Sequence, residues 1–251
     1  MSEHKAQETG LRIVFVHGAG ENAAAWDAQT SYFAHAEAVN LPGHHPYEFV
    51  GSEGRSTVDD YARWLHDYIR AEHNVDKETR KVLLVGHSMG SSIVLKYALM
   101  FGKEFLAGIV LVGGGAKMRV SPKILEGLQT DYKATIDLLI DYAYTAAATP
   151  EMKLKSQHMK LLMSPEIAYG DFMACSNFDI TMELEKLPRI PTLVIGATAD
   201  QLMPPKLSHY LAENIPGAQL QIMDATGHNM HVEKPHEFNK ILDEFISTLK
   251  R

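Results

Sequence analysis

KVLLVGHSMG, residues 81–90, is an apolar run that closes on a serine held between two glycines. Lys81 to Val85 reads as a buried strand, and Met89 to Phe101 continues with helical spacing. Gly86-x-Ser88-x-Gly90 therefore falls on a strand-to-helix turn. A turn this sharp strains the serine backbone and leaves no room for neighbouring Cβ atoms. It lifts the Ser88 hydroxyl above the sheet and aims the free N–H groups of the helix start at the same point. A bare GxSxG arises by chance, and a glycine turn can use its serine only as a helix cap. Set between a strand and a helix, the motif marks Ser88 as a nucleophile.

Outward from this turn, the same grammar repeats. Leu11 to Val16 runs into His17-Gly18-Ala19-Gly20, Leu106 to Val112 into three glycines, Pro191 to Ile195 into Gly196, and Gln219 to Met223 into Asp224-Ala225-Thr226-Gly227-His228. Each reads as a fully buried strand bounded by Gly or Pro, and Ala36 to Leu41 is a weaker sixth. Helical patterns lie between them at Val58 to Glu72, Met89 to Phe101, Leu207 to Asn214 and Pro235 to Leu249. Thr57 with Asp60 resembles a capping box at the start of the first of these. Alternating strand and helix predict an α/β fold: a mostly parallel sheet of about six strands with helices on both faces. The alternation stops between about Lys117 and Leu187. Six of the twelve methionines lie there, Pro122, Pro150 and Pro165 divide the stretch, and its periodicity is helical. Residues 118–187 are expected to form a helical cap inserted into a core made of 1–117 and 188–251.

Composition narrows the function. A chain of 251 residues, 45% hydrophobic and 22% charged, can bury a sizeable core and is neither disordered nor fibrous. The net charge of −7, with no Lys/Arg block, argues against a nucleic-acid partner. No apolar run reaches bilayer length, and residues 1–10 contain no apolar signal core, so no membrane partner and a cytoplasmic location are expected. The single cysteine, Cys175, excludes an internal disulfide and reads as a small buried hydrophobe rather than a nucleophile.

In parallel α/β sheets, reactive groups gather at the carboxyl ends of the strands. A serine hydroxyl needs an adjacent base, and the base a carboxylate that fixes its tautomer. Among 13 histidines, His228 follows the last strand in a short loop that can set its ring over the serine. His4, His66, His73, His158, His209 and His236 fall in the tail or in helices. His87 adjoins the serine but should point away from it, and His231 helps shape the loop. Asp200 follows its strand through GATA, which completes the order Ser, Asp, His. Asp224 is the rival, placed at the end of the last strand. The backbone N–H groups of Met89 and Ala19 are the candidate oxyanion donors.

HGAG at 17–20, LPGH at 41–44, GHSMG at 86–90, GATADQLMP at 196–204 and GHNMHVEKP at 227–235 together resemble the α/β-hydrolase superfamily, over Leu11 to about Met118 and Leu187 to the C-terminus. Within it the chain is similar to small capped carboxylesterases, including carrier-protein methyl esterases, and to enol-lactone and C–C bond hydrolases. The resemblance implies a sheet topped by a helical cap, a Ser-His-Asp triad, and no metal or organic cofactor. Two departures stand out. Relatives begin with an antiparallel hairpin for which there is no room before Leu11, so the sheet is shortened and its open edge favours a homo-oligomer. LPGHH replaces the usual glycine with His45, a solvated loop residue or part of the entrance.

The cap is rich in apolar and methionine side chains, which suit an adaptable pocket wall. The expected activity is a serine esterase that cleaves a small-molecule carboxylic ester with a small to medium apolar acyl group, through an acyl-enzyme. The same parts could serve a C–C bond hydrolase or a hydroxynitrile-lyase-like enzyme, although His87 in place of Asn leans toward an esterase. A non-catalytic ligand receptor on this fold would typically have lost a triad member, and all three are present.

Overall fold

A computed structural model describes residues 11–46, 57–75 and 81–249. Six strands form one sheet: β1 (Arg12–Val16), β2 (Ala36–Val39), β3 (Val82–His87), β4 (Leu106–Val112), β5 (Thr192–Ala197) and β6 (Gln219–Met223). Their order across the sheet is β2-β1-β3-β4-β5-β6, and every pair is parallel. The helices are α1 (Asp27–Thr30), α2 (Val58–Val75), α3 (Met89–Phe101), α4 (Pro122–Thr130), α5 (Tyr132–Ala143), α6 (Pro150–Leu161), α7 (Pro165–Asn177), α8 (Pro205–Asn214), α9 (Met230–Glu233) and α10 (Pro235–Leu249).

Strand alternation builds two cores. Val14 and Val16 of β1, with Leu84 of β3 and Leu111 of β4, face α2 and α3. Ile13, Phe15, Leu83, Val85, Val110 and Val112 face the other way, onto Trp26 and the Phe238, Leu242, Phe245 stripe of α10. Burial on both faces is why these strands read as continuous apolar runs. One expectation is corrected. Gln219 to Met223 is not a fully buried strand: Gln219 and Gln221 are exposed, Leu220 and Ile222 half-buried. β6 pairs only with β5, so its glutamines meet solvent at the edge of the sheet.

The capping box at the start of α2 is formed. Thr57 N–H donates to Asp60 Oδ2 (3.0 Å) and Asp60 N–H to Thr57 Oγ1 (3.2 Å). Between β4 and β5 lie α4 to α7. The three prolines that divide this stretch each start a helix, behind Ser121, Thr149 and Ser164, because a first-turn residue has no N–H to lose there. Leu128, Ile136, Leu139, Ile140 and Ala168 give these helices a small core of their own.

Candidate active site

Ser88 sits between β3 and α3 with φ 52° and ψ −114°, a left-handed conformation that a non-glycine residue adopts only when its surroundings impose it. Here the surroundings are close. A Cβ on Gly86 would lie 2.2 Å from the Gly90 carbonyl oxygen, and one on Gly90 would lie 2.3 Å from that of Val16. Both glycines let α3 press against β1 and β3, which forces the turn at Ser88. Ser88 N–H donates to the Val112 carbonyl (2.8 Å) and pins the turn to β4.

The loop after β5 carries Asp200 and the loop after β6 carries His228. They meet: His228 Nδ1 lies 2.8 Å from Asp200 Oδ2, with both side chains buried. Asp200 Oδ1 accepts the N–H groups of Leu202 (2.9 Å) and Met203 (2.7 Å), so the carboxylate is held at both oxygens. Ser88 and His228 line the same cavity of about 310 Å³, together with Gly18 and Ala19. Among the described residues no hydrogen bond joins the Ser88 hydroxyl to His228. The cavity wall is mainly apolar, with Met118, Ile124, Leu139 and Phe172 contributed by residues 118–187.

The other residues weighed for these roles have different partners or surroundings. Asp224 is exposed and accepts the Thr198 hydroxyl (3.0 Å), away from the histidine. His231 is buried against Trp26, ring centroids 4.2 Å apart, and its carbonyl accepts from Gln29 Nε2 (3.1 Å). His87 turns toward the core beneath His228: its Nε2 is 3.1 Å from the His228 carbonyl and its Nδ1 3.4 Å from Glu21. Cys175 touches the cavity but is buried, and burial pushes its thiol well above the usual range, so no thiolate is on offer. His45 is exposed. Among the described residues no group of three or more His, Cys, Asp or Glu side chains could hold a metal ion.

The N–H groups flanking Ala19 are taken, Gly18 by Glu21 Oε2 (3.0 Å) and Gly20 by Asp171 Oδ2 (2.8 Å). The Ala19 N–H is left without an acceptor among the described residues. Met89 opens α3, where the first N–H groups have no partner within the helix. Two candidate donors thus flank Ser88.

Sequence reasoning missed a set of buried charges around this loop. Lys160 Nζ, on α6, lies 3.0 Å from Glu21 Oε1. His44 Nε2 lies 2.8 Å from Asp171 Oδ2, and Tyr61 donates to Asp171 Oδ1 (2.8 Å). Burial alone would raise the Glu21 carboxyl, but the Lys160 ammonium and the His87 hydrogen bond hold it well below its usual range. Burial also opposes ionisation of Asp171 and His44. Their mutual attraction wins, lowering the acid and raising the imidazole. His44 Nδ1 also faces the Pro42 carbonyl (3.1 Å), so both its nitrogens are donors, as in an imidazolium. Only proximity in the fold unites these residues. The one sequence signal was the placement of Glu21 directly after HGAG and of His44 at the end of LPGH.

His17 and His231 behave oppositely. Burial, then the charge on His44, lowers His17 to about 3. Its Nε2 accepts the Leu41 N–H (3.2 Å), which requires the neutral ring. Burial, then His87, pushes His231 well below its ordinary value. The unfolded chain therefore binds protons at these two positions that the folded chain refuses. Stability should fall as pH drops below the ordinary imidazole value of about 6.5, before the carboxylates near 4 begin to contribute. Glu21 and Asp171, depressed in the folded state, withdraw their stabilisation at lower pH still. His44, raised by its partner, stabilises on the acid side and loses that contribution as pH rises through its folded value. The check is a thermal melt from about pH 8 to 4: Tm should decline already between about 6.5 and 5, and His231→Phe should flatten that part of the curve. An identical slope in the variant would count against the assignment.

The sequence model of the Alpha/beta hydrolase family matches residues 13–241. A thermophilic esterase of known structure is 30% identical, with a TM-score of 0.81 over 95% of this chain and 90% of that one. A Caulobacter sp. (strain K31) protein provisionally named carbamate hydrolase RutD is 36% identical over 94% of this chain and 90% of its own length. The Xenopus laevis monoacylglycerol lipase abhd6-A is 24% identical over 95% of this chain and 76% of its own length. No helix among the described residues is long and apolar enough to cross a membrane.

Proposed function

The chain belongs to the alpha/beta hydrolase family, and from that premise we propose that it is a serine esterase cleaving a carboxylic ester with a small to medium apolar acyl group. Ser88 is the nucleophile, His228 the general base and then general acid, and Asp200 the residue that orients the ring. His228 takes the hydroxyl proton as Ser88 Oγ bonds to the ester carbonyl carbon. The carbonyl oxygen becomes an oxyanion, held by the N–H groups of Ala19 and Met89. As the intermediate collapses, the ester C–O bond breaks and the alcohol leaves with the proton from His228. Water, deprotonated by His228, then attacks the acyl-enzyme, which returns the acid and free Ser88. Residues 118–187 act as a cap over a core of 1–117 and 188–251, and their apolar side chains receive the acyl group.

The observation that carries this reading is the His228–Asp200 contact of 2.8 Å beside a conformationally strained Ser88 in one cavity. Esterases and a lipase among the relatives support the hydrolase class. The Caulobacter relative favours a second reading, a carbamate as the acyl donor, which uses the same steps. Two measurements test the proposal: fluorophosphonate labelling mapped by peptide mass, and turnover of p-nitrophenyl esters of rising chain length beside an aryl carbamate. Ser88 labelling that is lost in His228→Ala, with turnover best for short to medium acyl chains, is the expected result. Carbamate turnover far above that of every ester would move the assignment to the second reading. No label on Ser88 would overturn both.

A further inference from the structure

Ala19 is flanked by Gly18 and Gly20, and Gly20 sits at φ 64°. Glycines on both sides give this loop wide backbone freedom. A donor on such a loop points one way only if the peptide planes on both sides of its residue are held. Two adjacent peptide planes are in fact held. The Gly18 carbonyl accepts from Glu21 N–H (3.3 Å) and from His17 Nδ1 (2.9 Å), so the Ala19 N–H in the same plane is turned to the opposite side. The next plane is gripped at both ends. The Ala19 carbonyl accepts from Lys160 Nζ (3.1 Å), and the Gly20 N–H donates to Asp171 Oδ2 (2.8 Å). Lys160 belongs to α6 and Asp171 to α7, about 140 and 150 residues further along the chain.

The two side chains are themselves buried charges that need partners. Lys160 has Glu21 Oε1 at 3.0 Å, and Asp171 has His44 and Tyr61. A charged pair inside a protein is poor evidence of stabilisation, since apolar residues of similar volume often serve as well. What these charges supply here is direction.

We propose that Lys160 and Asp171 are positioning residues: they clamp the Ala19–Gly20 peptide unit from opposite ends and so hold in place the unit before it, which carries the oxyanion donor N–H of Ala19. The inserted helices then contribute to the rate of the chemical step as well as to the shape of the pocket. This inference rests on the esterase reading above.

Asp171→Ala removes the acceptor for Gly20 N–H. Glu21→Gln with Lys160→Met removes the donor to Ala19 without stranding a buried carboxylate. Each is measured with a p-nitrophenyl ester, with a trifluoromethyl ketone inhibitor whose adduct with Ser88 carries an oxyanion, and by thermal unfolding. A loosened donor should lower kcat by about 10–100-fold, up to but not beyond the roughly 10²-fold that misplacement or outright loss of one donor begins to cost, with KM nearly unchanged. Inhibitor affinity should fall by the same factor. Asp171→Asn should recover most of kcat, because its amide oxygen can still accept Gly20 N–H while its NH2 faces the Tyr61 oxygen. A variant that loses binding alone, or keeps the wild-type kcat while folded, overturns the clamp. If Asp171→Ala does not fold, the Lys160 pair tests the same peptide unit at its other end. An active wild type with unaffected variants removes the clamp alone, whereas an inactive wild type removes the esterase reading and the clamp with it.

Discussion

Ser88→Ala should lower kcat toward an ester by about 10⁶-fold, leaving the residual catalysis that an intact oxyanion site and binding pocket provide. The size follows from what the cavity offers as a replacement. Among the described residues of its wall, burial keeps the Cys175 thiol protonated and Lys160 is paired with Glu21. Water attack assisted by His228 remains, but without the covalent intermediate that divides the reaction. The fold should be indifferent to the change. The strained turn is imposed by the packing of Gly86 and Gly90 and by the Ser88 N–H bond to Val112, none of which uses the hydroxyl. Single-turnover kinetics should show no acyl-enzyme, KM should stay close to wild type, and Tm should move little. Activity within tenfold of wild type in a folded variant would mean that the hydroxyl is not the nucleophile.

The parts of this site that were legible in the sequence are those set by local rules. A strand, a sharp turn and a helix each leave a periodic mark, and a parallel sheet delivers the residues after its strands to one rim. Ser88, Asp200 and His228 could be chosen from short windows because each lies one turn beyond an apolar run. The misread strand failed for the same reason: QLQIM has an apolar alternation, but only its place at the edge of the sheet says that the glutamines meet water. Lys160 and Asp171 left no mark at all. Each lies on a helix with no clear apolar stripe to say which way it faces, and only the packing of α6 and α7 onto the loop after β1 turns the charge inward. Residues 47–56 and 76–80 lie outside the described residues, as do 1–10, on which the signal-peptide expectation rests.

Asp200→Asn should cost about 10⁴-fold in kcat while preserving the shape of the site. The loss follows from where the amide can put its oxygen. Asp200 Oδ1 receives two backbone N–H groups, from Leu202 and Met203, and both are donors that cannot rotate away. An asparagine at 200 must keep its single oxygen there, since an NH2 facing two N–H groups would leave all of them unsatisfied in a buried pocket. Its NH2 then occupies the place of Oδ2, 2.8 Å from His228 Nδ1, and donates to it. Nδ1 becomes an acceptor and the ring proton moves to Nε2. That nitrogen, the one free to face Ser88, can no longer take the hydroxyl proton. The imidazolium also loses the carboxylate that stabilises it. Substrate affinity should be almost unaffected, so the loss should fall on kcat. Raising the pH should not restore activity through the imidazole, because the fault is a misplaced proton rather than an extra one. Proton NMR of the ring should report an Nδ1–H in the wild type and an Nε2–H in the variant. A variant that keeps the Nδ1–H tautomer and near-normal turnover would show that His228 is oriented by something other than Asp200.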